Sequence, residues 1–105
     1  MSPKQGEVWL ADLGFAAKTR PVIIISRTDP EPPRALIIYI PLTTKYRGSR
    51  YEVELGELPF LHEISWANLQ GIAALPLHRL EQKLGQLSSE AVTKIKHALF
   101  FTFDL

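Results

Sequence analysis

The sequence predicts a small, mainly β domain, a barrel of short strands decorated by one helix at its C-terminal end. Short apolar or alternating runs recur along most of the chain, separated by Gly, Pro and polar turn signals. Two of these runs, residues 21–26 and 35–41, are β-branched and apolar enough for strands buried on both faces. Only one stretch, opening at Ser88 or Ser89, places an unbroken helical stripe behind a good N-cap. The 105 residues contain no repeat, linker or low-complexity tract, so residues 1–105 read as one domain, long enough for a core without staples.

Taken in order, residues 7–12 (EVWLAD) form the first strand, with Val8 and Leu10 on one face and Trp9 and Ala11 on the other. Residues 13–19 are a loop, and 21–26 the second strand. The DPEPP of segment 28–34 sets three prolines within four residues, so this connection is stiff and extended. A third strand covers 35–41 and leads into Thr43, Thr44 and the polar loop KYRGSR. In 51–55, Tyr51, Val53 and Leu55 alternate with Glu52 and Glu54, the pattern of a half-exposed strand. Residues 65–70 and 72–75 make two more strands broken at Gly71. Segment 77–87 is ambiguous, since Leu77, Leu80 and Leu84 have helical spacing while Gly85 opposes a helix. In the C-terminal helix Ala91, Val92, Ile95, Ala98 and Leu99 form the apolar stripe, Lys94, Lys96 and His97 the polar side, and Glu90 suits the positive end of the dipole. The terminal FFTFDL is strongly apolar for a chain end, and is expected to enter the core or to cover a subunit contact.

Hydrophobic residues make up 46% and charged residues 22%, which argues against disorder. The absence of cysteine excludes a disulfide framework, a thiolate nucleophile and a cysteine-ligated metal. The first fifteen residues lack the pattern of a signal peptide, and no apolar run is long enough to span a bilayer; a soluble, cytoplasmic domain with no membrane contact is expected. A net charge of +1 does not by itself call for a nucleic-acid partner, but its distribution is uneven. Lys18, Arg20, Arg27, Arg34, Lys45, Arg47 and Arg50 fall between positions 18 and 50 against only Asp29 and Glu31. Glu52, Glu54, Glu57 and Glu63 follow without a cation between them. One basic face suited to a polyanion fits this pattern, as do ordinary solvated loops.

Most catalytic chemistries find no support. His62, His78 and His97 are far apart, and only His62 has a carboxylate beside it, Glu63, a chain neighbour that points away in a strand, so neither a metal nor any other cofactor is expected. There is no G-x-S-x-G turn and no Gly-rich loop before a helix. What remains is Arg20, opening one buried strand, and Thr43 with Thr44, closing the next. If the two strands are antiparallel neighbours, Arg20 and Thr43 share a rim, flanked by Lys18, Lys45, Arg47 and Arg50. A guanidinium, a hydroxyl and several cations make a plausible phosphate cradle. Equally, Arg20 reads as a surface arginine with its stem on Trp9 or Tyr51, and Thr43 as a residue of high β propensity.

GEVWLADL at 6–13, TRPVIIIS at 19–26 and IPLTTKYRGSRYEVEL at 40–55, in this order, resemble the MazF/PemK family of toxins from toxin–antitoxin systems. The resemblance extends over nearly the whole chain. It implies an SH3-like barrel with added helices (the MazF/PemK/CcdB-like fold), a homodimer, and metal-independent, sequence-selective cleavage of single-stranded RNA. It also implies a cognate antitoxin whose acidic, flexible segment fills the RNA groove, and operator DNA binding together with that antitoxin. Arg20 matches the family's Arg-Pro arginine, which acts on the scissile phosphate, and Thr43 the active threonine after the third strand. Lys18, Thr19, Thr44, Lys45, Tyr46, Arg47 and Arg50 would surround the substrate. For 77–87 it implies a helical turn over 76–80 and then a strand through Leu87. One stretch departs from the pattern: residues 14–18 read GFAAK where the family has a longer loop bearing an acidic residue.

The chemistry so implied is attack by the RNA's own 2′-hydroxyl, with Arg20 stabilising the phosphoryl charge and Thr43 donating a hydrogen bond. Phe15, Tyr46 or Tyr51 could stack unpaired bases. Arginine holds its proton at neutral pH and makes a reluctant base; His62 or Asp12 could take that part only if the fold brings them close. Two other readings stay open: a non-catalytic RNA-binding module, and a toxin of the same fold directed at a protein such as DNA gyrase.

Overall fold

The computed structural model describes residues 2–16 and 18–105; Met1, and Ala17 of the expected 14–18 loop, lie outside the described residues. The strands are β1 (Glu7–Asp12), β2 (Thr19–Ile24), β3 (Leu36–Thr43), β4 (Glu52–Gly56), β5 (Ser65–Asn68), β6 (Ala73–Pro76) and β7 (Leu80–Gln86), followed by the helix α1 (Ser89–Phe103). They pair antiparallel in the order β4-β5-β3-β2-β1-β7, with β6 also on β3. β3 is the long central element: its start pairs with β6 (Ile37 opposite Leu75) and its end with β5 (Thr43 opposite Trp66). Between β5 and β6 the chain makes the 3-10 turn Leu69–Gly71, the break expected at Gly71. A Cβ on Gly71 would stand 2.6 Å from the Pro41 ring, so only glycine lets the turn lie this close to β3.

β3 runs on to Thr43 instead of ending near Pro41. Pro41 falls in the gap between the β5 and β6 ladders, where a missing N–H costs least. β2 is buried on both faces as its composition predicts. Ile23 and Ile25 join Val8, Ile40, Leu69 and Ile95 in the main core, while Val22 and Ile24 join Ala11, Ile37, Leu75 and Leu80 in a second cluster. The architecture is the expected mainly β one with a C-terminal helix, and among the described residues no ladder joins the end strands β4 and β7. Side chains cover these strands instead. Phe60, from the β4–β5 connection, lies directly on Gly85 of β7, and α1 packs on β4. Gly85 thus makes room for a ring on a strand.

The ambiguous stretch resolves into a 3-10 turn, Leu77–Arg79, followed by β7. Its misleading helical spacing has a physical cause. β7 pairs with β1 through two register shifts that skip Glu81 and Leu84, so Leu80 enters the second cluster and Leu84 the first. In α1, Ser88 Oγ accepts the Ala91 N–H at 3.1 Å as N-cap, and Ile95 is fully buried at the centre of the predicted stripe. Burying that side chain contributes about 1.5–3 kcal/mol. The expectation that FFTFDL could enter the core is corrected: Phe100, Phe103 and Leu105 are 56%, 53% and 83% exposed. Ile95 and Leu99 already pack against the core, and Phe100, Phe103 and Leu105 line an open groove beside Ile25, Ile38 and Ile72 instead.

Glu7 is the one buried acid among the described residues, 4% exposed. Its Oε1 accepts the Lys4 backbone N–H at 2.8 Å and the Trp9 indole N–H at 3.0 Å, while Oε2 meets Lys83 Nζ at 3.0 Å. Burial pushes its proton affinity up, but the Lys4 N–H, Lys83 and the Trp9 indole together outweigh burial and hold the carboxyl below its ordinary value. The Gly-Glu-Val-Trp opening therefore anchors the N-terminal segment and β7 to β1.

Candidate functional site

Arg20 is the second residue of β2, paired with Ala11 of β1, and Thr43 is the last residue of β3. The β2–β3 register sets Val22 against Pro41 and, carried two residues outward, sets Arg20 against Thr43. Both line one open cavity of about 450 Å³, whose polar wall also holds Thr44, Lys45 and Ser65 and whose apolar wall is Leu13, Pro21, Pro41 and Leu42. Arg20 is exposed and Thr43 half-buried. Thr43 Oγ1 accepts the Lys45 N–H at 3.1 Å, which leaves the hydroxyl's own proton for an oxygen in the cavity. Among the described lining residues there is no carboxylate and no imidazole, only the two cations Arg20 and Lys45.

The remaining sequence-predicted residues divide. Lys18 does not line that cavity; it is exposed in a left-handed conformation (φ +58°), its carbonyl accepting the Leu13 N–H at 2.9 Å. Thr19 pairs with Asp12 at the outer end of the β1–β2 ladder. Arg47 lines a second cavity of about 190 Å³ that shares Thr43 and Lys45 with the first. Tyr46 lies flat on Trp66, ring centroids 5.1 Å apart and planes 9° from parallel. Phe15 is fully exposed at its loop tip.

Arg50 goes elsewhere. Its guanidinium sits 4.0 Å over the Phe101 ring, and Tyr51 also meets Phe101, at 5.1 Å, so both face the helix end. His62 lines a different cavity with Glu57 and Glu63, and Asp12 Oδ1 accepts the Gly14 N–H at 2.9 Å; neither lines the Arg20–Thr43 cavity. Among the described residues no three His, Asp or Glu side chains gather where a metal could be held. Sequence reasoning missed Trp66, Asn68 and Gln70, which the structure brings beside Thr43 and Arg47. Their alternation in SWANLQ was the available signal.

An antiparallel sheet whose rim gathers a guanidinium, an ammonium and a donor hydroxyl around one open cavity defines a small, mainly β protein with a cationic rim cavity. Residues 4–103 match the family model described as PemK-like, MazF-like toxin of type II toxin–antitoxin systems, and the chain belongs to that family. It is 31% identical over 104 residues to the probable endoribonuclease MazF5 of Mycobacterium tuberculosis, covering 97% of this chain and 94% of the relative. Its backbone superposes with a TM-score of 0.86 on a mycobacterial endoribonuclease solved in complex with its cognate antitoxin, at 27% identity over 99% of this chain and 97% of that one. The M. tuberculosis toxin MazF-mt6 gives 0.84 at 26% identity, covering 94% and 97% of the two chains.

Proposed function

We propose that this chain is an endoribonuclease, the toxin of a type II toxin–antitoxin pair, which cuts single-stranded RNA by a metal-independent attack of the RNA's own 2′-hydroxyl. The observation that supports this reading is the cavity shared by Arg20, Thr43 and Lys45. A phosphate lodged there meets two cations and a hydroxyl whose proton is available to it. The 2′-oxygen forms a bond to phosphorus and the bond to the 5′-oxygen breaks, leaving a cyclic phosphate and a free 5′-hydroxyl. Arg20 and Lys45 offset the charge that builds on the phosphoryl oxygens, and Thr43 donates to one of them. With no acid or imidazole on the described lining, the 2′-hydroxyl proton passes to solvent, solvent returns one to the departing 5′-oxygen, and catalysis is mainly electrostatic.

Relatives support the partners. The mycobacterial neighbour was solved with its cognate antitoxin, and an acidic antitoxin segment would fit the same cationic cavity here. A homodimer would cover the apolar groove of about 360 Å³ between α1 and the β2–β3 edge, where Ile25, Ile38, Ile72, Leu99, Phe100 and Phe103 meet. No described helix is long and apolar enough to cross a membrane, and a toxin that acts on messenger RNA works in the cytoplasm.

The test uses purified protein, a single-stranded RNA and a copy with 2′-deoxy substitutions. Cutting of the first alone, with a 5′-hydroxyl on the downstream fragment, is the expected result. Replacing Arg20 with Ala should slow cutting about 100-fold or more and relieve any growth arrest. Cutting of both substrates would overturn the mechanism. Binding without cutting of either would favour the non-catalytic RNA-binding module, the reading favoured by the short 14–18 loop without an acid.

A further inference from the structure

Cleavage as described leaves the smaller cavity unused. It adjoins the phosphate cavity through Thr43 and Lys45, and beyond them it is lined by Arg47, Ser49, Glu52, Asn68 and Gln70. Its walls are held in place. The Glu52 carboxylate accepts the Arg47 N–H at 3.2 Å, and the Ser49 N–H and hydroxyl both at 3.1 Å, so the acid is spent on ordering the loop. Asn68 Oδ1 accepts the Gln70 N–H at 3.2 Å, which orients its Nδ2 as the remaining donor. Among the described residues neither Asn68 Nδ2 nor the Gln70 side-chain amide has a protein partner. Side-chain amides pair with the edges of nucleobases, whereas phosphates draw cations. At about 190 Å³ the space exceeds the roughly 30 Å³ share of one water many times over, and an unstacked base can enter it.

Resting on the RNA-cutting reading, we infer that this second cavity is a base-reading subsite: it takes the nucleobase next to the cleaved linkage and selects it through Asn68 and Gln70. Thr43 and Lys45 hold the phosphate at the junction, and the two amides read the adjacent base edge. The strand register fixes the distance between the two events, because Asn68 and Thr43 belong to paired strands.

The experiment cuts a randomised single-stranded RNA pool and sequences the new ends. Wild type is compared with Asn68→Asp, which keeps the acceptor for the Gln70 N–H but replaces the donor, with Gln70→Ala at an exposed position, and with Lys45→Ala. Both amide variants should lose or change base preference at one position beside the cut, by about 10-fold or more, as a good base contact is worth about 1–3 kcal/mol. Lys45→Ala should slow cutting uniformly across sequences. If wild type cuts and both amide variants keep its preference at every position, the subsite is refuted while the cleavage reading stands. If both amide variants, still folded by circular dichroism, cut nothing, the subsite is again refuted, since the amides would then serve the chemistry. No cutting by wild type would refute the cleavage reading, and this inference with it.

Discussion

Replacing Glu7 with Gln removes one charge from the anchor at the start of β1 while keeping its shape. In the folded chain the carboxylate accepts the Lys4 N–H and the Trp9 indole N–H and faces Lys83 Nζ, all within 3.0 Å. Hydrogen bonds to an ionised acceptor are worth about 1.5–3 kcal/mol each, and roughly half of that survives with a neutral one. The Lys83 side chain is 47% exposed, so screening holds its pair to about 1 kcal/mol or less. The substituted side chain also turns an amide N–H₂ toward the ammonium or swaps it onto the donors. The net loss should be about 2 kcal/mol near neutral pH, or about 1–2 M off the urea midpoint for a chain of this size.

Urea unfolding followed by tryptophan fluorescence at fixed protein concentration measures it. The carboxyl titrates below its ordinary 4.5 when folded and near 4.5 when unfolded. Its stabilisation is therefore fully present above 4.5 and is lost as pH falls through the lower, folded value. The gap between wild type and Glu7→Gln should close on acidification. A gap as wide at pH 3 as at pH 7 would refute the reasoning, because the loss would then have nothing to do with charge.

Three other outcomes follow from the site and the helix end. Thr43→Val should slow RNA cutting by about 100-fold while Thr43→Ser stays within a few-fold, and an active Val variant would remove the hydroxyl from the mechanism. Because Thr43 Oγ1 also accepts the Lys45 N–H, the Val variant should lose about 1 kcal/mol of stability as well. The double variant Lys45→Ala, Arg47→Ala should flatten the salt dependence of RNA binding by about 0.7 in log–log slope for each phosphate no longer neutralised; an unchanged slope would place the backbone elsewhere. Phe103→Glu, on the apolar groove at the end of α1, should convert a dimer to monomer in sedimentation, and a variant that sediments with wild type would move the interface off this face.

Elements whose pattern was set by burial were legible from the chain alone. β1 has the bounds its alternation predicts, β2 is covered on both faces, and α1 begins at its serine cap. Where local pattern and partner strands disagree, the partner strands decide. Leu80 and Leu84 have helical spacing but lie in β7, since two bulges against β1 turn them to different clusters. Pro41 is a strand breaker by type, yet it sits inside β3 because the neighbouring ladder is interrupted beside it. Arg50 belongs by sequence to the basic loop, but Phe101 offers its guanidinium an aromatic face on the helix.

The sequence by itself determined the kinds of groups available: Arg20 ahead of a buried strand, the hydroxyls of Thr43 and Thr44 after the next, a cationic loop and no thiol. Those are matters of residue type and spacing, and local physics reads them. Only the tertiary structure decided which of them share a cavity, that Asn68 and Gln70 stand beside Thr43, and that the apolar chain end stays outside the core. The reason is that strand register and helix placement are set by the summed burial of distant side chains, a quantity no local window contains.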